Sequence, residues 1–309
     1  MFIKLSKHIL ILLFLLLLSI LFAVLFTFTK KPSFVDNIKP KTTTSWEELA
    51  CLDILDSYQL EIGKKEMATH NTIIVGIARD NAKELPTVIK YIEHTGKFFQ
   101  DYRVVVFEND SIDGTKTILK NWKFKNHKVK VLSKKYSNKK RPNIEFLAKI
   151  RNHYLRELKT NSEYKNFDMV MIVDLDMTYG WDMRGLFHSF SKITDWDAVC
   201  SNGIFTKNGR MWDMFAFRNK QYPENLTHPD YWSKIVPRGQ KIYLAGTELV
   251  PVQSCFGGLA FYKKLFINGC EYKSVDNDCE HIAFHQCLTE NQGRIFMNPS
   301  QILRYSHYE

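Results

Sequence analysis

Two aspartates, Asp174 and Asp176, close a short apolar run in the segment FDMVMIVDLDM, Phe167 to Met177. The run from Met169 to Val173 is rich enough in β-branched residues to be a buried strand. Side chains alternate along extended backbone, so both carboxylates face one side and Leu175 the other. Two acids at the mouth of a buried strand are costly unless something positive joins them. A divalent ion bridging them to a diphosphate would remove that cost. Mn²⁺ and Mg²⁺ suit the arrangement, with hard oxygen ligands, few from the protein and the rest from phosphate and water. Strand-end aspartates in water, or caps of a following helix, are the plain alternative.

A second constellation is Glu108 to Thr115, ENDSIDGT, which follows one apolar run and opens a helical pattern. Asp110, at the strand end, could accept hydrogen bonds from a base or ribose. Ser111 and Asp113 could cap the helix, and Gly114 relieves the turn. A third is Asp276 to Leu288, DNDCEHIAFHQCL. Its Cys279, His281, His285 and Cys287 invite a zinc reading. At about 100° per residue the two histidines share a narrow sector while the cysteines point away. Four ligands from one helix cannot surround a tetrahedral ion. Glu280 is the better candidate for chemistry, with Asp278 as the alternative. An acid placed at a helix start by the dipole is the structural reading.

These residues need a frame. Thr72 to Ala78, Arg103 to Phe107, Val129 to Leu132 and Met169 to Val173 read as strands. Leu85 to His94, the stretch after Gly114 through Trp122, and Phe146 to Leu158 read as helices between them. Strands alternating with helices predict βαβ units and a mostly parallel sheet. Ligands of such sheets bind beyond the carboxyl ends of the strands. Arg79, ENDSIDGT and the DLD pair would all lie on that edge. Further on the pattern is less regular. Ala198 to Cys200, Met214 to Phe217 and Ile242 to Val252 are read as strands, and Gly257-Gly258 interrupts an apolar run.

Ahead of the frame, Ile9 to Phe28 is almost wholly apolar and long enough to span a bilayer as a helix. An uncleaved anchor is favoured over a signal peptide, because the apolar core is long and no small-x-small cleavage site follows. Residues 1–8 would be a short cytoplasmic head, 9–28 the transmembrane anchor, 29–70 a stem and 71–309 the catalytic domain. Within the stem, Trp46 to Leu60 has helical leucine spacing behind a Ser45 cap. The expected topology is single-pass, with a cytoplasmic N-terminus and, in a eukaryote, a domain in the Golgi or ER lumen. The chain of 309 residues carries a net charge of +10. Such a charge suits nucleic acid, anionic lipid or phosphate-bearing substrates. No zinc-finger spacing or RNP-like aromatic motif is present, so nucleic acid is set aside. Six cysteines allow fifteen full disulfide pairings, and sequence selects none. Asn225-Leu226-Thr227 is a glycosylation acceptor; Asn109-Asp110-Ser111 fits the pattern but lies in the expected pocket and should stay unmodified. The basic stretch from Lys134 to Arg141 reads as a solvated loop.

The pairing of FENDSIDGT with VDLDM resembles GT-A nucleotide-sugar glycosyltransferases, and more narrowly the fungal capsule-associated mannosyltransferase-like family. Further matches follow in order: Leu147-Ala148-x-x-Arg151-Asn152, Trp212-Asp213-x-x-Ala216-x-Arg218, Ser254 to Tyr262, Cys279-Glu280-His281 with His285, and a late His307. The resemblance covers roughly Asn71 to His307. It implies a GT-A fold, Rossmann-like, with a mostly parallel mixed sheet flanked by helices. It also implies a nucleotide-sugar donor, GDP-mannose or a UDP-hexose, and a DxD-held Mn²⁺ or Mg²⁺. The acceptor would be a glycan, glycolipid or glycoprotein.

On this resemblance the metal would be held by Asp174, Asp176 and His307. The donor would meet Arg79, Asp110, Asp113, Arg151, Asp174, Gly257, Gly258 and His281. Arg151 could reach the diphosphate, since a guanidinium fork suits phosphate oxygens. The glycine pair would let backbone approach the sugar. Asp213 and Arg218 could bind sugar hydroxyls or pair with each other. Glu280, or Asp278, would serve the sugar transfer. A binding protein of the same fold without turnover, and a nucleotidyltransferase, are the competing functions.

Overall fold

The apolar runs pair into one sheet whose central strands are buried on both faces. The computed structural model describes residues 50–136, 143–206, 208–222 and 241–305. The expected membrane span, Asn225, Lys139 to Arg141 and His307 lie outside the described residues. Among the described residues no helix is long and apolar enough to cross a membrane.

In chain order the elements are α1 (Ser57–Met67), β1 (Asn71–Ala78), α2 (Leu85–Gly96), β2 (Asp101–Glu108), α3 (Thr115–Lys125), β3 (Val129–Ser133) and α4 (Ile144–Thr160). Then come β4 (Met169–Val173), α5 (Met183–Phe190), β5 (Ala198–Phe205), β6 (Val250–Pro251), β7 (Leu259–Lys263), α6 (Glu280–Glu290) and β8 (Ile295–Tyr305). The sheet order is β3-β2-β1-β4-β7-β5-β8-β6. The first four are mutually parallel. β7 runs antiparallel between β4 and β5, and β5 pairs parallel with β8. The mixed sheet flanked by helices is therefore present as expected.

The chain winds outward from β1 through β2 to β3, then returns to place β4 on the other side of β1. That reversal opens a crevice at the carboxyl ends of β1 and β4. Alternation divides the core between the faces. Ile73, Val75, Val170 and Ile172 pack with α4 and α6. Ile74, Met169, Met171 and Val173 pack with α2, α3 and α5.

Several local expectations change. Instead of a helix over Trp46 to Leu60, a 3₁₀ turn spans Leu52–Ile54 and α1 starts at Ser57, with Asp56 accepting from the Tyr58 N–H at 3.1 Å. Leu52 is buried in a small cluster with Ile204, Ala245 and Ile302, which a continuous helix would not allow. Part of the expected stem thus belongs to the packed body. Met214 to Phe217 is a turn, not a strand. The carbonyls of Phe215 and Phe217 turn toward the Arg218 guanidinium, at 3.2 and 2.8 Å, and so leave the ladder. Of Ile242 to Val252 only Val250–Pro251 pairs, on the sheet edge where a residue without an N–H is tolerated.

Two disulfides, Cys200–Cys255 and Cys270–Cys287, leave Cys51 exposed and Cys279 buried as free thiols. The first fastens β5 to the segment leading into β7. The second fastens α6 to the turn after β7.

Candidate active site

β4 ends at Val173, and the next N–H, of Asp174, donates to the Gly258 carbonyl at 2.9 Å. This bond holds the DLD segment against the start of β7. Leu175 and Met177 enter the core, only 2% and 1% exposed, while Asp174 and Asp176 take the outer side. The alternation expected from sequence is present. Burial, then repulsion from Asp176, pushes the Asp174 carboxyl well above the usual range, and Arg151 offsets this only in part. Asp213 and Glu280 add to the repulsion. Asp176 reaches solvent, yet the protein atoms crowding it push its carboxyl up as well, with its own backbone N–H and Arg151 opposing the shift.

Arg151 lies on the face of α4 that carries Ala148 and Tyr154 into the core, and is 6% exposed. Its Nε donates to Glu280 Oε1 at 2.9 Å, and its Nη2 is 3.6 Å from Asp174 Oδ1. The guanidinium packs over the rings of Phe256 and Tyr272, at 5.3 and 5.7 Å. It is therefore turned toward carboxylates rather than standing open toward a diphosphate. Its Nη1 is buried without a hydrogen-bond partner. Glu280 opens α6 and is buried beside this cation, at the helix end where a negative charge is favoured.

Sequence pattern did not separate Asp213 from Arg218, and the structure does. Arg218 Nη2 bonds Asp278 Oδ1 at 2.7 Å, and the same oxygen accepts from the Cys279 N–H at 2.7 Å. Through this oxygen Asp278 braces the start of α6. Asp213 instead accepts from the Gly257 N–H at 3.0 Å. Burial, with Glu280 nearby, lifts its carboxyl to about 6 against two backbone hydrogen bonds and Arg151.

Three other expected donor contacts are redirected. His281 is 2% exposed, stacked on Phe256 at 4.2 Å and edge-on to Tyr272. Burial first, then Arg151 and His285, hold it neutral. One step along α6 from Glu280 turns it into the aromatic wall rather than the crevice. Gly257 and Gly258 have φ of 63° and 88°, a left-handed conformation natural to glycine. A Cβ on either would collide with the Ser201 carbonyl or the Tyr305 hydroxyl, so the close approach is to the chain itself. Asp113 is exposed; its oxygens accept from the Ala82 and Thr115 N–H groups, both at 2.9 Å. It closes a turn just ahead of α3, whose N-cap is Gly114 without a side-chain cap rather than Ser111 or Asp113, and it staples the β1 and β2 loops together.

Those loops carry Arg79 and Asp110 at the crevice edge. Asp80 and Asp110 both adopt positive φ, 52° and 53°. Asp80 Oδ1 accepts from the Ile112 N–H at 2.8 Å, and Asp110 Oδ1 from the Tyr136 N–H at 2.8 Å. Non-glycine residues hold this conformation only where surroundings fix it, as at ligand clamps. Asn109 is fully buried. A zinc centre on α6 is excluded: Cys287 is in a disulfide, and His285 lies between Ser254 and Tyr262, at 2.8 and 2.9 Å.

Among the described residues, no three His, Cys, Asp or Glu side chains are arranged to hold a metal ion. A cavity of about 620 Å³ lies at the opposite end of β4, lined in part by Phe167, Asp168 and Lys264.

Over residues 71–292 the sequence matches the family described as Cryptococcal mannosyltransferase 1. The chain belongs to this family. The matched region contains Asp174, Asp176, Asp213 and Glu280. No curated protein sequence matches the chain. Among solved structures, the S. aureus TarS 1-349 complex with UDP-GlcNAc is 15% identical with a TM-score of 0.46, covering 77% of this chain and 59% of that one. The mannosyltransferase PcManGT from Pyrobaculum calidifontis, in complex with GDP-Man and Mn²⁺, is 14% identical with a TM-score of 0.45, covering 78% and 58%. GalNAc-T7 with UDP, GalNAc and Mn²⁺ is 14% identical with a TM-score of 0.45, covering 77% and 44%. The chain spans less than two thirds of each of these proteins.

Proposed function

We propose that this glycosyltransferase moves a hexose, mannose in the first instance, from a nucleotide-sugar donor to a glycan, glycolipid or glycoprotein acceptor, and that it uses a divalent cation. One observation carries the reading. Asp174 and Asp176 face the crevice on one side, and with Asp213 and Glu280 they leave more acid than Arg151 can balance. Hard oxygen donors on a strand end fit Mn²⁺ or Mg²⁺, and two protein ligands leave room for phosphate and water. His307 is proposed as a further ligand.

Asp174 and Asp176 would hold the cation, which as a Lewis acid neutralises the departing nucleoside diphosphate when bound. Arg79 and Asp110, just past the ends of β1 and β2, would meet the base, ribose or phosphates. Glu280 is fixed through Oε1 by Arg151, while Oε2 receives only the long contact from the Cys279 thiol at 3.8 Å. In an inverting transfer, Oε2 takes the acceptor hydroxyl proton as the acceptor oxygen bonds to the anomeric carbon and the bond to the donor phosphate breaks. In a retaining transfer the same carboxylate would face the positively charged anomeric centre.

Anchoring by residues 9–28, with the catalytic body on the lumenal side, belongs to the same proposal. The two disulfides support an oxidising compartment. The test is a donor screen: purified chain, Mn²⁺, and GDP-mannose beside UDP-hexoses, with nucleotide release as the readout. Release should be fastest with GDP-mannose, stop with EDTA and return with Mn²⁺. Absence of release with every donor contradicts the proposal.

A further inference from the structure

The crevice has a wall that the donor and metal roles leave unused. Trp212 is half-buried, and its indole stacks on the Tyr305 ring at 3.8 Å, 5° from parallel. The Tyr305 hydroxyl lies against Gly258, whose carbonyl receives the Asp174 N–H at 2.9 Å. Trp212 itself is tied to β5 by a 2.7 Å bond from its N–H to the Gly203 carbonyl. The next residue, Asp213, is bound through Oδ2 to the Gly257 N–H at 3.0 Å. Two independent threads therefore run from the Trp212-Asp213 pair to the glycines beside the first acid of DLD.

Among the described residues no basic side chain forms an ion pair with Asp213. Arg218, five residues on, is committed to Asp278 at 2.7 Å. Behind the acids, the Arg151 guanidinium is more than nine-tenths buried, faces Asp174 at 3.6 Å and keeps Nη1 without a partner. A buried donor left open marks a place where a polar ligand atom completes the network. A flat aromatic ring beside a carboxylate offers what a pyranose presents: an apolar C–H face and a rim of hydroxyl donors. A site built to accept a hydroxyl proton discriminates strongly against a ligand lacking it.

We infer that Trp212 and Asp213 form the seat for a hexopyranose ring, the indole supplying the platform and the Asp213 carboxylate accepting a ring hydroxyl. The inference rests on the transferase reading above and adds the residues that grip the sugar. Asp213 is near enough to Glu280 and Asp174 for their charges to act on one another. It belongs either to the donor or to the acceptor.

Calorimetry with the full chain and Mn²⁺ separates the cases, using GDP and GDP-mannose as probes, and methyl α-mannoside as acceptor probe in a transfer assay. Asp213→Asn keeps the shape and one acceptor oxygen; Trp212→Leu removes the platform. GDP affinity should stay within about twofold in both, which also reports folding. A roughly tenfold loss of GDP-mannose affinity over GDP assigns the seat to the transferred hexose. Unchanged donor affinity with a roughly tenfold higher KM for methyl α-mannoside assigns it to the accepting ring. Wild-type binding with neither quantity moved in either variant overturns the inference and leaves the transferase reading standing. A wild type that binds neither nucleotide takes both down.

Discussion

Buried acids sit at both ends of the strands, and they are treated in opposite ways. Asp197, just ahead of β5 and 3% exposed, accepts from Lys263 Nζ at 3.0 Å and from the Arg294 side chain and N–H at 3.0 and 2.9 Å. These partners outweigh its burial and hold its carboxyl below the usual range. At the other end, among the described residues, Asp174, Asp213 and Glu280, with the more exposed Asp176, lie near Arg151, and the three aspartates are shifted upward. The Asp197 end is complete within the protein. Among the described residues the DLD end has fewer positive partners than acids, and under the proposed function a metal ion and a donor would supply the difference. Satisfied buried charge marks structure; unsatisfied buried charge of one sign marks a site.

Replacements should split along this line. Glu280→Gln should lower kcat about 10²–10⁴-fold, the range for losing a general base, with donor affinity nearly kept. Single-turnover and binding measurements check it, and an unchanged kcat would remove Glu280 from the chemistry. Asp197→Ala should leave kcat and metal affinity alone but cost about 2–4 kcal/mol of stability in urea melts, because two cations lose their partner. The lower end is favoured because Arg294 can rehydrate.

Asp213→Asn should do the reverse. A carboxyl lifted from 3.8 to about 6 opposes folding once ionised. That penalty is absent below pH 3.8, grows through the interval and is complete above pH 6. In EDTA at pH 7.5 the variant should melt higher by about 2–4 °C, roughly 1 kcal/mol after allowing for partial exposure, and show no gain at pH 3.5. A lower melting point at pH 7.5 would show that the wild-type carboxylate is satisfied by the fold.

The smallest effect is expected where α1 meets the strand start. His70 Nδ1 lies 2.5 Å from Asp168 Oδ2, with Glu66 3.3 Å from Nε2. Burial lowers the His70 pKa, but Asp168 and Glu66 prevail and raise it above 6.5. Asp168 is lowered below 3.8, its burial outweighed by His70 and the Asn71 N–H. The histidine share is present below pH 6.5 and fades as pH rises through the raised value. The Asp168 share is present above pH 3.8 and fades as pH falls. His70→Asn should thus cost most between about pH 4 and 6.5, less than about 1 kcal/mol in this exposed setting. A cost independent of pH would mean that packing, not charge, joins the two elements.

The parallel half of the sheet was legible because Thr72 to Ala78, Arg103 to Phe107 and Met169 to Val173 are apolar runs bounded by polar turns. Their periodicity also put DLD and ENDSIDGT on one edge. β8 was not legible, since Asn298 to Gln301 breaks its apolar run and the β5 register shifts opposite it. Nor was α5, whose buried face includes Gly185, His188 and Ser189 rather than an apolar stripe. At the site, proximity in sequence misled: Asp213 and Arg218 share a motif but face different partners across a turn. Asp278 and His281 flank Glu280, yet one braces the helix and the other packs into the wall. Which neighbour of a functional acid is structural depends on contacts from distant segments, here Arg218 and Phe256, that no spacing reveals.

The most direct test is Mn²⁺ binding by the purified chain, followed by electron paramagnetic resonance with and without GDP. The wild type should take up one Mn²⁺ more tightly when GDP is present, and Asp174→Asn/Asp176→Asn should lose that uptake while retaining its melting point. Equal Mn²⁺ uptake by the double variant would contradict the assignment of these two carboxylates.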